Sequence, residues 1–285
     1  MRRIPGPVTT ATEIYDACIA EMTDESLKKR FIKNRKYFID QDDFYKQHGL
    51  SCTLYTIPAT KHKRKEDPII TADITKSEAT TLYSHYMLRT NMGRKIYDHI
   101  LISTKEDCPF CGGIGRAKTI DHYLPKSKFP QLSILPLNLI PACRDCNTGK
   151  LTALAKSAGE QALHPFIDDD CFFNEQWISA SINKDKPVGV EFHASPPQNW
   201  HKTKKERVIN HFKNFEIAQI YNRPASQEIS TLIYLRGKNM SNLDKQNFSD
   251  HLHCVSETIA YVNDWKKIMY KTLAADDWFC SQDFT

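Results

Sequence analysis

Two Cys-x-x-Cys pairs constrain the fold of this chain more than any other feature of its sequence. Cys108 and Cys111 form the first pair, Cys143 and Cys146 form the second, and 31 residues lie between them. Zinc prefers four tetrahedral ligands, and thiolates on two tight turns supply such a set. The separation exceeds that of a simple zinc ribbon. It therefore predicts a folded unit between the pairs, held at both ends by one structural zinc ion.

A single Cys-x-x-Cys pair can also be a redox motif, but the presence of two favours a metal site. Four cysteines would close the coordination sphere, so we expect this zinc to stabilise the fold and not to catalyse a reaction. The remaining cysteines show no paired spacing, and we expect them to be plain thiols that pack as small hydrophobic side chains. They are Cys18, Cys52, Cys171, Cys254 and Cys280.

Composition places the chain among globular proteins. Its 285 residues are 40% hydrophobic and 26% charged, which is enough to bury a core without disulfides. No apolar run approaches the ~20 residues of a membrane span. The first residues, Met1-Arg-Arg-Ile-Pro-Gly-Pro, lack the apolar core of a secretion signal. We predict a cytoplasmic protein without a membrane partner.

The net charge of +5 is too small to indicate a nucleic-acid partner by itself. Its distribution is more informative, because residues 108–160 contain seven basic and three acidic side chains. Thiolates around zinc are net negative, so part of this excess is offset in the metal-bound state. A compact basic run, Lys61-His-Lys-Arg-Lys65, has two interpretations: a loop that touches a phosphate backbone, or a solvated loop without a partner.

The sequence before the cysteine pairs predicts mainly helices. Thr10-Ala-Thr-Glu13 has the form of a capping box and precedes apolar residues at four-residue steps. Alternation between Leu50 and Ile57 predicts an extended segment or strand. Apolar spacing from Leu82 predicts an amphipathic helix that runs to about Ile102.

After the cysteine pairs, two alternating runs around Ile178–Ile182 and Val188–Phe192 predict a hairpin. The rest of the chain has helical spacing, including a long apolar stripe from Val255 to Leu273. We find no internal repeat. Between and after the pairs, Thr119–Pro125 and Leu135–Ala142 are predicted as strands, and the segment from Arg144 to about Ser157 as a helix.

This central segment resembles the HNH endonuclease family, whose ββα-metal fold has two antiparallel strands and a helix, often held by two zinc-binding cysteine pairs. The resemblance covers about a fifth of the chain. The matching residues, in order, are Cys108, Cys111, Asp121, His122, Asn138, Cys143, Cys146, Asn147 and Lys150.

The resemblance assigns a role to each motif residue. It implies that His122 is the general base, that Asp121 and Asn147 hold a catalytic divalent ion, and that Asn138 braces the loop between the strands. An imidazole can accept a proton at neutral pH. One carboxylate and one amide oxygen suit Mg²⁺ or Mn²⁺. Asn147 stands where the family name calls for a final histidine, so we expect weak metal affinity or a preference for particular ions.

Two points of geometry bear on these roles. Neighbouring residues of a regular strand point to opposite faces, so Asp121 and His122 can share a site only where the strand ends or bulges. Lys150 lies one helical turn from Asn147 and is a candidate for phosphate binding, with a solvated lysine as the alternative. Further substrate-binding candidates are Lys126 and Arg144. His164 either approaches the site or packs in the core.

The predicted fold class is α+β and mostly helical. We expect a helical region at 1–104, a zinc-held HNH module at 105–168, and a helical region with a short hairpin at 169–285. The predicted function is metal-dependent endonuclease activity on DNA. The alternatives are an RNA-directed HNH nuclease and a zinc-stabilised nucleic-acid-binding or adaptor protein without cleavage activity. Similar HNH proteins act in bacterial defence beside an ATPase, and this chain has no nucleotide-binding loop of its own.

Overall fold

Helices account for most of the architecture of the computed structural model, which describes residues 1–61, 63, 65–149 and 154–284. Small two-stranded sheets lie between the helices, and the chain is α+β and mostly helical, as predicted. In the described residues, no helix has the length and apolar character needed to cross a membrane.

The N-terminal region packs helices around a short hairpin. Its elements, in order, are α1 (Ala11–Ala20), α2 (Glu25–Lys33), α3 (Arg35–Leu50), β1 (Ile69–Thr71), β2 (Ile74–Thr75), α4 (Lys76–Thr81), a π-helical segment (Leu82–Met87) and α5 (Asn91–Ile102). The predicted capping box at Thr10 is confirmed, since the side chains of Thr10 and Glu13 each bond the other's backbone N–H. The apolar faces of these helices bury Ile14, Phe31 and Leu82.

Two predictions for this region are wrong. The segment Leu50–Ile57 is not extended, because α3 continues through Leu50 and a 3₁₀ turn follows at Leu54–Thr56. Leu54 and Ile57 are buried while Leu50 is 65% exposed, which is a three-residue spacing and not an alternation.

The predicted helix from Leu82 to Ile102 ends where predicted but is interrupted, because α5 begins only at Asn91. A Cβ at Gly93 would lie 2.0 Å from the Tyr86 carbonyl oxygen. Gly93 therefore allows the first turn of α5 to pack closely against the π-helical segment.

The central unit is the predicted pair of strands followed by a helix. β3 (Thr119–His122) and β4 (Leu139–Ala142) are antiparallel, with Thr119 opposite Ala142 and His122 opposite Leu139. A 3₁₀ turn at Pro136–Asn138 replaces the first half of the second predicted strand. Ile120 and Leu139 belong to the same apolar cluster as the N-terminal helices, so those helices cover this sheet.

Helix α6 (Arg144–Gly149) follows β4 directly. The prediction that this helix continues to about Ser157 is wrong for residues 154–157, which are not helical. Residues 150–153, Lys150 among them, lie outside the described part of the chain.

The C-terminal region combines a hairpin with long helices. After α7 (Cys171–Asn174), β5 (Ile178–Asn183) and β6 (Gly189–Ala194) form the predicted antiparallel hairpin. The helices that follow are α8 (Lys202–Asn214), α9 (Ile217–Lys238), α10 (Lys245–Glu257), α11 (Trp265–Ala274) and α12 (Asp277–Ser281). The apolar stripe from Val255 to Leu273 belongs to two helices and not to one.

Candidate active site

The four motif cysteines form one buried cluster, as predicted. The sulfur atoms of Cys108, Cys111, Cys143 and Cys146 all lie within 4.8 Å of one another. Tetrahedral zinc with Zn–S bonds of ~2.3 Å needs sulfur atoms ~3.8 Å apart, so the donor set and its spacing fit a structural zinc ion. A Cβ at position 115 would lie 2.5 Å from the sulfur of Cys143, which explains the glycine there.

Backbone N–H groups surround this cluster and favour thiolates. The N–H of Gly115 donates to the sulfur of Cys111 at 3.3 Å, and the N–H of Cys146 donates to that of Cys143 at 3.4 Å. Because metal ligands must be deprotonated, these contacts prepare the cluster to bind a cation.

His122 is the last residue of β3 and is 6% exposed. Its Nε2 lies 2.8 Å from the carbonyl oxygen of Ser133. A carbonyl oxygen only accepts hydrogen bonds, so Nε2 carries the proton and, in the neutral ring, Nδ1 carries the lone pair. The ring of Tyr83 packs edge-on against the imidazole, with the centroids 4.4 Å apart. His122 is thus held in one tautomer and one orientation.

A cleft of about 680 Å³ brings Asp121, His122 and Asn147 together. One wall consists of β3, α6 and residues 125–127. The other wall comes from the N-terminal region: α4, the π-helical segment, Leu88 and α5. Asp121 and His122 both line this cleft although they are adjacent on a strand. All four residues of β3 line the cleft, so both faces of this short strand contribute to it.

Asn138 lies behind the cleft and is completely buried. Its Nδ2 donates to the carbonyl oxygens of Leu124 at 3.0 Å and Leu132 at 3.1 Å, and its Oδ1 accepts from the N–H of Leu124 at 2.7 Å. The backbone oxygen of Asn138 accepts from the N–H of Tyr123 at 2.9 Å. One side chain therefore ties the segment that follows His122 to the segment that precedes β4.

Asn147 faces the cleft from α6. Its Nδ2 donates to the hydroxyl of Thr119 at 3.1 Å, and this hydroxyl donates to the carbonyl oxygen of Ala142, also at 3.1 Å. The amide nitrogen of Asn147 is thus engaged with Thr119. This contact fixes the plane of the amide group and leaves its Oδ1 as the donor atom suited to a cation.

The other candidate residues lie in different places. Lys126 lines the cleft, with its Nζ 5.2 Å from the centroid of the Tyr83 ring. Arg144 is exposed at the start of α6 and is not among the residues that line the cleft. Lys150 lies outside the described residues. His164 is 1% exposed and packs against Tyr123, away from the cleft.

Comparison with known proteins agrees with this geometry. The family model described as HNH endonuclease matches residues 108–152. Protein ea31 of Escherichia phage lambda is 33% identical to the chain over an alignment of 294 residues, gaps included. The alignment covers 98% of this chain and 99% of that protein. The chain belongs to the ea31 family and contains an HNH endonuclease domain. No solved structure matches it.

Several residues around the HNH motif carry no signal in the sequence. Tyr83 and Ser133 contact His122, and Thr119 orients Asn147, but none of them has motif spacing. Lys76 also lines the cleft from the N-terminal region. Tyr83 and Lys76 reach the HNH domain by long-range packing, whereas Thr119 and Ser133 belong to the domain itself. Only a three-dimensional structure reveals these contacts.

Proposed function

We propose that this protein is a metal-dependent endonuclease that hydrolyses phosphodiester bonds of DNA. An HNH domain implies a nucleic-acid substrate and suggests a nuclease. The observation that carries the proposal is the arrangement of Asp121, His122 and Asn147 in one cleft, with Nδ1 of His122 as the basic nitrogen.

His122 acts as the general base in this proposal. Its Nδ1 removes a proton from a water molecule, whose oxygen attacks the phosphorus as the bond to the leaving oxygen breaks. Such a positioned base typically contributes ~10²–10⁴ in rate. The carbonyl oxygen of Ser133 holds Nε2–H and stabilises the imidazolium that forms.

Asp121 and Asn147 are the proposed ligands of the catalytic ion. A carboxylate and an amide oxygen that face the same cleft fit a hard cation such as Mg²⁺ or Mn²⁺. When bound, such an ion stabilises negative charge on the phosphate and on the leaving oxygen. Because only two protein ligands are proposed, the affinity for the ion should be low.

The surroundings of the base extend into the N-terminal region. The hydroxyl of Ser133 donates to the carbonyl oxygen of Ala79 in α4 at 2.9 Å, and the hydroxyl of Tyr83 donates to the carbonyl oxygen of Ile120 at 3.2 Å. These contacts attach α4 and the π-helical segment to both sides of His122. Tyr83 and Asn138 are therefore proposed as positioning residues of the base.

Lys126 is the proposed phosphate-binding residue inside the cleft, with Arg144 and Lys150 as proposed contacts beyond it. We also propose the division of the chain into residues 1–104, 105–168 and 169–285, with the HNH module in the centre. A role in antiviral defence and an ATPase partner, both expected from similar HNH proteins, have no support in these observations. The relative ea31 is itself encoded by a phage.

The test is cleavage by the purified protein of single-stranded and duplex DNA and RNA, with Mg²⁺, Mn²⁺ or EDTA. We expect DNA cleavage that needs the divalent ion and is lost in His122→Ala. His253→Ala is the matched control, because His253 is exposed on α10. Cleavage of RNA alone would favour the RNA-directed alternative. Tight DNA binding without cleavage in the presence of any of these ions would favour the alternative of a nucleic-acid-binding or adaptor protein without cleavage activity.

A further inference from the structure

A loop that carries three lysines, Lys61, Lys63 and Lys65, begins beside the proposed active site, and we call it the basic loop. Lys61, Lys63 and Lys65 are all exposed in the segment that connects the 3₁₀ turn after α3 to β1. The N–H of Thr60 donates to the carbonyl oxygen of Lys128 at 2.8 Å. Residues 125–127, immediately before Lys128, line the cleft. This hydrogen bond therefore anchors the start of the basic loop at the cleft rim.

The same segment returns to the cleft at its other end. Lys76 begins α4 and lines the wall opposite the HNH motif, and its N–H donates to the carbonyl oxygen of Pro68 at 2.9 Å. The chain from Thr60 to Lys76 thus leaves one cleft wall and arrives at the other. Two further lysines, Lys76 and Lys126, line the cleft itself.

The acidic residues of this segment are engaged by other groups. The carboxylate of Glu66 accepts a hydrogen bond from the backbone N–H of Lys63 at 2.7 Å. That of Asp67 accepts from the N–H of Ser77 at 2.7 Å and also from the Ser77 hydroxyl. Both carboxylates therefore help to shape the backbone of the segment.

Lysines elsewhere in the protein are commonly neutralised by a nearby acid. Lys36 and Lys204 form ion pairs with Asp40 and Asp169 at 2.7 and 2.6 Å. Within the described residues, Lys61, Lys65 and Lys128 form no ion pair. Lys61 and Lys65 therefore keep their positive charge on the protein surface.

Lys65 occupies an unusual backbone position for a lysine. Its φ of 72° lies in the left-handed region, and the N–H of Glu66 closes the turn by donating to the carbonyl oxygen of Lys63 at 3.1 Å. Glycine or asparagine adopts this conformation at lower cost. A lysine at this point keeps a charge in the loop at the expense of local stability.

We propose that the described lysines of the basic loop, Lys61, Lys63 and Lys65, bind the phosphate backbone of the DNA substrate next to the scissile phosphate. The inference rests on the proposed function, since it extends the proposed cleft to flanking DNA. The five residues from Lys61 to Lys65 span at most ~17 Å when extended. With a rise of ~3.4 Å per base pair, the contact should lie within about five base pairs of the cut.

The test is fluorescence anisotropy with labelled duplex DNA, using full-length protein that carries His122→Ala so that the DNA stays intact. The variant Lys61→Ala/Lys63→Ala/Lys65→Ala should bind more weakly. The slope of log affinity against log salt should decrease by about two to three, because each lost phosphate contact removes nearly one unit. When the triple variant is made in protein that keeps His122, we expect a higher KM for DNA with an unchanged kcat.

A matched control removes the same charge elsewhere. Three exposed lysines on α2, α5 and α9 form no ion pair with described residues and do not line the cleft: Lys29, Lys95 and Lys238. Their triple alanine variant should keep the wild-type salt slope. Equal slopes in both triple variants would overturn the inference while leaving the nuclease proposal intact. A wild-type protein that neither binds nor cuts DNA would overturn both.

Lys65→Asn gives a second test that does not depend on the triple variant being folded. Asparagine tolerates the left-handed conformation, so the melting temperature should stay the same or rise while the salt slope decreases by about one. Shortening the duplex from either end, one base pair at a time, should weaken wild-type binding once the flank on one side is too short. In the triple variant, the affinity should not fall when that flank is shortened. A fall of the same size in the triple variant would contradict the proposed contact.

Discussion

The amide nitrogen of Asn147 donates a hydrogen bond to the hydroxyl of Thr119 at 3.1 Å. This contact joins the first residue of β3 to α6, and it turns the amide so that its oxygen is left for a cation. The hydroxyl donates its own hydrogen bond to the carbonyl oxygen of Ala142, so all three groups have a defined orientation. Thr119 is therefore the residue that orients the weaker of the two proposed metal ligands.

Thr119→Val should raise the Mg²⁺ or Mn²⁺ concentration needed for half-maximal cleavage by ~10-fold, because partners that orient a ligand typically contribute this much. The rate at saturating metal should change less. A metal titration of the cleavage rate is the measurement. Thr119→Ser keeps the hydroxyl and should therefore need the same metal concentration as the wild type. Thr148→Val changes an exposed threonine next to Asn147 on α6 and should leave the metal requirement unchanged.

Tyr83→Ala should lower kcat, since it removes the ring that packs at 4.4 Å against His122 and frees the imidazole to rotate. We expect a loss of about ten-fold and a shift of the pH–rate profile, which reports the ionisation of the base. Tyr83→Phe keeps the ring and loses only the hydrogen bond to Ile120, so it should be close to wild type. Identical profiles for all three proteins would argue against a positioning role.

Asn138→Ala should destabilise the fold, because it leaves the buried carbonyl oxygens of Leu124 and Leu132 without their donor. Each unsatisfied buried group costs about 1–3 kcal/mol, so we expect a decrease of more than about 2 kcal/mol in the free energy of unfolding. Chemical denaturation measures it. Asn210→Ala, which removes one half-buried bond to Gly159, should cost clearly less.

Cys143→Ser should abolish zinc binding and unfold the central unit, because three thiolates and a hydroxyl no longer match the preferred donor set. Elemental analysis should detect about one zinc per wild-type chain and much less in the variant, and the melting temperature should fall. Cys254→Ser changes an exposed thiol outside the cluster and should leave both values unchanged. Zinc content equal to that of wild type in Cys143→Ser would contradict the four-cysteine site.

His211 should make the stability of the protein depend on pH. Burial lowers its pKa to about 3, whereas an unfolded histidine titrates near ~6.5. Between these values the unfolded state binds a proton that the folded state does not, so stability is complete above pH ~6.5 and is lost as the pH falls toward 3. In His211→Gln the loss of unfolding free energy over this range should be smaller. His253→Gln, at an exposed position on α10, should show the same pH dependence of the free energy of unfolding as the wild type.

Local patterns in the sequence predicted the parts of the fold that depend on neighbouring residues. The cysteine cluster, the capping box at Thr10 and the hairpin after Ile178 all follow from spacings of a few residues. The extended segment at Leu50 was predicted incorrectly for the same reason. A short apolar alternation does not distinguish a strand from the end of a helix followed by a 3₁₀ turn.

The chain sequence by itself determined the motif, namely which residues carry thiolate, carboxylate, imidazole and amide groups and in what order. Only the tertiary structure decided which of those groups share a cleft and which atoms remain for chemistry. Tyr83 lies 39 positions before His122, yet its ring packs against the imidazole. The orientation of a side chain depends on contacts between distant segments. Such contacts leave no periodic pattern in the sequence, because they form only when the whole chain has packed.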